Sequence, residues 1–193
     1  MRRLILAATV LALAGCMQIR TERLVAVPLN TAPSAGDSLL SHATTAGLIV
    51  GIDAISPIWQ PLSMSDDQLR TALQASFALA GYEAQPGAAP SFRLSAGIVA
   101  LESTIDMQMF SGAATAVAII RYRLDAGERK EALLDEVIET ECRVTTADAP
   151  LGDPIARRSA ECAVQRNISN VMSRLREIDR SRSAVTNPAE GAP

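Results

Sequence analysis

Hydrophobic and polar residues alternate with a period of two along three long segments of the chain, 91–106, 112–126 and 131–146. Alternation of this kind is typical of antiparallel strands with one buried and one solvated face. The second segment shows it most regularly, with one face made of Ala116, Ala118, Ile120, Tyr122 and Leu124. The sequence "DAGERK" (125–130) predicts a hairpin turn between the second and third strands.

A helical spacing of apolar residues follows Ser65, which predicts a helix over 65–80. Ser65 and Gln68 have the spacing of a capping box, in which each residue bonds the backbone of the other. Gly81 stands where a helix commonly ends, because glycine adopts the left-handed conformation without strain.

The chain ends in a second predicted helix, 154–178. Pro154 suits its first turn, and Asp153 suits the preceding cap position. One apolar stripe runs along this helix, made of Val164, Ile168, Val171, Met172, Leu175 and Ile178. Residues 179–193 are polar and predict a frayed tail.

A further apolar run, "GLIVGIDAIS" (47–56), is rich in β-branched residues and predicts another strand. The order of elements is therefore β-α-β-β-β-α over a domain of residues 47–178. We expect an α+β fold, with an antiparallel sheet of about four strands and both helices on one face.

The N-terminus has a different pattern. Arg2 and Arg3 precede an eleven-residue stretch, Leu4 to Ala14, in which every residue but Thr9 is apolar. A membrane-spanning helix needs about 20 apolar residues. The shorter run, ending in small residues, is typical of the hydrophobic region of a secretory signal peptide over residues 1–15.

The sequence Leu13-Ala14-Gly15-Cys16 resembles a bacterial lipobox. The resemblance implies that Cys16 receives a diacylglyceryl group and becomes the first residue after cleavage. Stable anchoring by two or three acyl chains would follow. The alternative is an ordinary secretory signal with a cysteine at the cleavage site by chance. Met17, in place of an aspartate, points to the outer membrane, facing the periplasm.

Residues 16–46 predict a tether, since they contain Pro28, Pro33 and many small polar residues. The apolar stretch "RLVAVPL" within this tether is compatible with an edge strand. Without residues 1–15 the formal net charge changes from −3 to −5, because Arg2 and Arg3 are lost. A modestly acidic chain with 3% aromatic residues argues against a nucleic-acid partner.

Cys142 and Cys162 remain once Cys16 is acylated, and an oxidising compartment favours a disulfide between them. Their predicted heights above the connecting loop agree, at about 13 Å along the strand and about 12 Å along the helix. The direction of Cys162 argues the other way, because it falls more than about 100° from the apolar stripe. A disulfide and two unpaired cysteines therefore both remain possible at this point.

Met107, Met109 and Phe110 lie at the predicted turn between the first two long strands. Methionine and aromatic residues are enriched at contact surfaces. The turn either contacts a partner protein or the membrane, or folds back onto the helices as part of the core.

Acidic residues recur along the third strand, where Arg121 and Arg123 of the neighbouring strand are able to pair with them. His42 is the only histidine and lies in the predicted tether. With two cysteines it does not complete a zinc site. There is no Gly-x-Ser-x-Gly motif, so the sequence predicts no catalytic residue, metal or cofactor.

The lipobox, "LRTALQASFALAGY", "RYRL" and "CAVQRNISNVMSRL" together resemble a group of small bacterial periplasmic lipoproteins. That group is largely uncharacterised and is related in shape to auxiliary lipoproteins of transport systems. The resemblance implies a non-enzymatic accessory or assembly role, with Cys16 binding the membrane and an envelope protein as partner. The alternative is a module that binds a lipid or another envelope ligand, and a hydrolase is the third class.

Overall fold

A computed structural model of the chain describes residues 19–26, 64–80, 92–108, 111–126 and 131–186. The architecture is α+β, as the hydrophobic pattern predicts. In chain order the elements are a 3-10 turn (Thr21–Arg23), α1 (Asp66–Leu79), β1 (Phe92–Gln108), β2 (Ser111–Ala126), β3 (Glu131–Thr145) and α2 (Asp153–Thr186).

The three strands form one antiparallel sheet in the order β1-β2-β3. A β-bulge interrupts the β1–β2 register between Ile98 and Ala100, which leaves Val99 as an extra residue on the edge strand. The insertion changes the alternation, so that Ile98 and Leu101 are both buried although they are three positions apart. The fourth strand predicted at 47–56 lies outside the described residues.

The buried face of the sheet carries the predicted residues. The five positions of β2 that the alternation predicts to face inward are fully buried, while Arg121 and Arg123 are exposed. Both helices contribute to the same core as these strands, α1 through Leu69, Leu73 and Phe77. Small residues on β2 let α2 approach the sheet closely, because an alanine leaves room for the larger side chains of the helix.

The predicted capping box of α1 is present. The hydroxyl of Ser65 accepts the backbone N–H of Gln68 at 3.2 Å, and Oε1 of Gln68 accepts the backbone N–H of Ser65 at 2.9 Å. Two of the free N–H groups at the start of the helix are thereby satisfied. The predicted bounds of 65–80 agree with the observed Asp66–Leu79 to within one residue at each end.

The second helix is longer than predicted. It begins at Asp153, which is its first residue and not its cap, and it continues to Thr186. The prediction of a tail from residue 179 is therefore wrong for 179–186. Asp179 itself is buried. Local contacts extend the helix where the apolar stripe ends, including the ion pair between Arg174 and Glu177 and the hydrogen bond from Ser181 to the carbonyl of Glu177.

Candidate functional site

Residues 19–26, which we name the docked segment, pack against both helices. Ile19, Leu24 and Ala26 are buried in the common core, at 2%, 0% and 3% exposure. The sequence pattern assigned these residues to a tether with an edge strand, and this is corrected by the structure. Thr21–Arg23 form a short 3-10 turn, and the apolar side chains on either side of it pack beside the helices.

Four hydrogen bonds fix the backbone of the docked segment to the helices. From α1, Gln68 Nε2 donates to the carbonyl of Ile19 at 2.7 Å, and Ser76 Oγ accepts the N–H of Ala26 at 3.0 Å. From α2, Gln165 Nε2 donates to the carbonyl of Val25 at 2.8 Å. The fourth bond runs from the N–H of Arg20 to Glu161. These side chains therefore supply hydrogen-bond partners for backbone groups that are buried away from water, as a neighbouring strand does in a sheet.

The fourth bond belongs to a group of charges around Glu161, which we name the Glu161 cluster. Oε1 of Glu161 accepts the N–H of Arg20 at 3.0 Å, and Oε2 lies 3.3 Å from Nη1 of Arg23. Arg157 and Arg158, one turn earlier on α2, approach the same carboxylate to 3.9 and 3.7 Å. Glu161 is fully buried, and the hydrogen bonds and opposite charges around it offset the cost of removing a carboxylate from water.

Sequence reasoning did not find Glu161 or the docked segment. The available signal was the apolar stretch from Leu24 to Ala26, which is too short to show whether it pairs as a strand or packs as a turn. Glu161 gives no signal of its own, because a single glutamate on a helix is ordinarily solvated. Its role depends on a contact that spans 141 positions of the chain.

Next to Glu161, the structure joins Cys142 of β3 and Cys162 of α2 in a disulfide, with their Cα atoms 5.8 Å apart. Cys142 is buried and Cys162 is half-buried. On the same side of α2, Nη1 of Arg166 donates to the carbonyl of Glu141 at 2.9 Å. This side of the helix therefore faces β3, the edge of the described sheet, although it points away from the apolar stripe.

Farther along α2, a buried asparagine bonds the sheet directly. Nδ2 of Asn167 donates to the carbonyls of Ile138 and Ala118, at 2.7 and 3.1 Å. It also lies 3.1 Å from the hydroxyl of Thr140, which donates to the carbonyl of Ala163 at 2.8 Å. These directional bonds fix the position of α2 along β2 and β3, because apolar packing alone would allow the helix to shift along the sheet.

The hydroxyl of Tyr122 lies in the same layer between sheet and helices. Tyr122 is fully buried, and its hydroxyl makes no hydrogen bond with the residues that the structure describes. Burial raises the pKa of this phenol far above its ordinary value, since the phenolate would lose its hydration.

The face of the sheet opposite α2, which we name the open face, combines apolar and charged groups. Val99 and Val137 are 51% and 54% exposed there. Beside them, Arg121 forms a two-pronged ion pair with Asp135, with N···O distances of 2.9 and 3.0 Å. This is the cross-strand pairing predicted from the sequence. The guanidinium of Arg121 holds the pKa of Asp135 below its usual range, and Arg123 adds a smaller contribution.

Surface cavities adjoin the described sheet. One of about 480 Å³ opens at the bulge of β1 and is lined by Ser95, Gly97, Val99, Arg121 and Arg123. Another of about 410 Å³ lies along the outer side of β3, between Glu136 and Arg174. The first lining mixes apolar and charged groups and the second is largely polar, and both cavities are open to solvent, unlike the enclosed, mostly apolar site typical of a small molecule.

The remaining predicted site residues lie at the margins of what the structure describes. Cys16, Met109, Phe110 and His42 fall outside the described residues. The backbone of Met107 pairs with that of Gly112, near the end of β1 and the start of β2. The roles proposed for these residues therefore stay predictions.

Within the described ranges, no three His, Cys, Asp or Glu side chains come together in a group able to hold a metal ion. Neither α1 nor α2 combines the length and hydropathy that a membrane-crossing helix requires.

No protein-family model and no curated protein matches the chain. Among solved structures, it is similar to a Xanthomonas campestris protein of the DUF330 family, with 12% identity and a TM-score of 0.45. That match covers 61% of this chain and 64% of the Xanthomonas protein, so the chain spans under two thirds of that protein's length.

Two further solved structures show a weaker likeness. A candidate lipoprotein from Caulobacter crescentus is 13% identical, with a TM-score of 0.36 and coverage of 73% of this chain and 93% of that one. A minor lipoprotein from Acinetobacter baumannii is 7% identical, with a TM-score of 0.35 and coverage of 75% and 95%. Likenesses at these scores establish neither a family nor a function for this chain.

Proposed function

We propose that this chain is a lipoprotein of the bacterial envelope, anchored through acylated Cys16 to the periplasmic face of the outer membrane. The observation that carries the proposal is the sequence Leu13-Ala14-Gly15-Cys16 after a short apolar run. A diacylglyceryl group on Cys16, with a further acyl chain on its amine, supplies the two or more chains that stable anchoring requires.

The docked segment, which follows the proposed cleavage site, also supports this assignment. Ile19, only three residues after Cys16, is buried in the folded domain. The chain therefore changes from a signal-like sequence to a folded domain within three residues of Cys16. A cut between Gly15 and Cys16 would leave the domain intact and the acylated residue beside it.

We further propose that the protein acts without catalysis, as an accessory or assembly component that contacts an envelope protein. The open face is the surface that supports this role. It exposes Val99 and Val137 next to the ion pair between Arg121 and Asp135, a mixture of apolar and charged groups that is common at protein interfaces. The runner-up, a ligand-binding module, would use an enclosed apolar pocket, whereas the two cavities described above are open to solvent.

The anchoring is tested with a Cys16→Ser variant in a bacterial envelope. We expect the mature wild-type protein to carry the added mass of a diacylglyceryl group on its N-terminal cysteine and to sediment with the outer-membrane fraction. The variant should remain unprocessed or soluble. A wild-type N-terminus without lipid would refute the assignment.

The partner role is tested with a photo-crosslinking residue at Val137 on the open face, and with the same residue at Gln74 on the exposed side of α1 as the matched control. We expect one discrete adduct from position 137 in the intact envelope, identified by mass spectrometry, and none from position 74. The adduct should disappear when Val99 is changed to Asp. Equal labelling from both positions would contradict a specific protein contact at the open face.

A further inference from the structure

The distance between Cys16 and the folded domain is set by the docked segment. Only three residue steps separate Cys16 from Ile19, which spans at most about 10 Å of extended chain. Ile19 is 2% exposed, and the peptide group that joins it to Arg20 is bonded at both ends, its carbonyl by Gln68 and its N–H by Glu161. A tether over residues 16–46 would instead let the domain move many tens of ångströms from the anchor.

The surface around this attachment point is rich in guanidinium groups. Arg20 is exposed, and the side chains of Arg23 and Arg158 are 43% and 41% exposed, above the buried carboxylate of Glu161. Two exposed carboxylates accompany these arginines: Glu22 precedes Arg23 in the chain, and Asp148 interacts electrostatically with Arg158. Guanidinium groups bind phosphate oxygens through two parallel hydrogen bonds, which favours contact with phospholipid headgroups.

We propose that this surface, formed by the docked segment and the Arg157–Arg158 turn of α2, lies against the bilayer that holds the acyl chains of Cys16. The headgroup phosphates contact Arg20, Arg23 and Arg158. The inference rests on the proposed anchoring of Cys16 and extends it from an attachment point to a fixed orientation of the domain.

The orientation has a consequence for the rest of the molecule. The docked segment packs with the helices, and the helices cover the opposite side of the sheet from Val137. A domain that rests on the bilayer through its helix layer directs its open face away from the lipid. The surface proposed to contact a protein is then presented to the periplasmic space.

The experiment uses the acylated full-length protein in phospholipid vesicles. A single cysteine is introduced at Glu22 in the docked segment, or at Val137 on the open face, and is labelled with a small fluorophore. Because Cys142 and Cys162 are bonded to each other and Cys16 is acylated, the introduced thiol is the only one that reacts. Quenching is measured with a short-range nitroxide quencher carried on lipid headgroups.

We expect quenching at position 22 to be several times that at position 137. Vesicle-bound protein with equal quenching at both positions would overturn the orientation while leaving the anchoring intact. Protein that lacks lipid on Cys16 and stays in the supernatant, with neither label quenched, would instead refute the proposed function. The two failures are therefore distinguishable.

Two variants separate the short connection from the arginine contacts. The first inserts about ten Gly and Ser residues between Met17 and Gln18, which lengthens the connection without changing the docked segment. The second combines Arg20→Gln with Arg158→Gln and keeps Arg23 in place. We expect each variant to reduce the contrast between positions 22 and 137, and the combination to abolish it. A contrast that survives in the combined variant would overturn the proposal.

Discussion

The backbone N–H of Arg20 donates a 3.0 Å hydrogen bond to Oε1 of Glu161, a fully buried carboxylate 141 positions later in the chain. Arg23, Arg157 and Arg158 approach the same carboxylate to within 4.0 Å. One side chain of the last helix thus holds the N-terminal segment of the domain and organises the charges around it.

Replacing Glu161 with Ala should lower the free energy of unfolding by about 3 kcal/mol, since breaking a buried ion pair leaves its partners without compensation. Glu161→Gln keeps an acceptor for Arg20 and should have a smaller effect, about 1 kcal/mol. Urea denaturation checks both values. Glu177→Gln, in an exposed pair with Arg174, is the control and should change stability by less than about 0.5 kcal/mol. Equal effects at positions 161 and 177 would contradict the role of Glu161.

The bond between Cys142 and Cys162 closes a loop with a sequence separation of 20 residues. Removing it in a Cys142→Ala, Cys162→Ala double variant should destabilise the domain by about 3 kcal/mol, because the unfolded chain regains the freedom of that loop. Thermal unfolding with and without reductant measures the effect. Reductant should lower the melting temperature of the wild type and leave that of the variant unchanged. Alkylation of either cysteine in the non-reduced wild type would show that the bond is absent.

Tyr122→Phe should stabilise the domain by about 1 kcal/mol, because it removes a buried hydroxyl that makes no hydrogen bond with the described residues. The matched control is Thr140→Val, which removes a bonded hydroxyl and should cost about 1 kcal/mol. Denaturant unfolding compares the two variants. A loss of stability in Tyr122→Phe as large as in the control would show that the phenol has a partner.

The pKa of Asp135 is held below its usual range by Arg121. A lowered folded-state pKa contributes stability that is fully present above the ordinary aspartate pKa and is lost as the pH falls through the lowered value. Arg121→Gln should therefore return the pKa of Asp135 toward its ordinary value, and the stability difference from wild type should shrink on acidification.

Carboxyl NMR titration measures this change directly. Asp148 serves as an internal reference. Its pKa is lowered mainly by hydrogen bonds from Thr145, and Arg121 does not contribute, so it should not change in the variant. An unchanged pKa at Asp135 in the Arg121→Gln variant would contradict the ion pair.

Local patterns were sufficient to predict the helices and strands that make up most of the described domain. Alternation on β2 identified five of its buried positions, and the capping box at Ser65 located the start of α1. Both signals act over a few residues, where backbone geometry alone decides which side chains share a face. The same alternation, together with the pairing of β2 and β3, predicted that Arg121 can pair with an acidic residue of β3, and in the structure that residue is Asp135.

The candidate site depended on contacts that no local pattern encodes. The docked segment is held by Gln68, Ser76, Glu161 and Gln165, which become neighbours only in the folded domain. The apolar stripe of α2 predicted that Cys162 points away from the sheet. In the structure α2 lies over β2 and β3, and the side of the helix that carries Cys162 faces β3, where Cys142 lies. The end of α2 was missed because polar residues continue it.

If the chain is exported and acylated as proposed, the contact between Arg20 and Glu161 would also set an order of events. A mature chain that emerges from the membrane with its N-terminal part first exposes Arg20 long before Glu161, and a pairing of such separation closes late in folding. A lipid on Cys16 would therefore be joined to the domain by an unpaired segment until the last helix has emerged and Glu161 can bind Arg20.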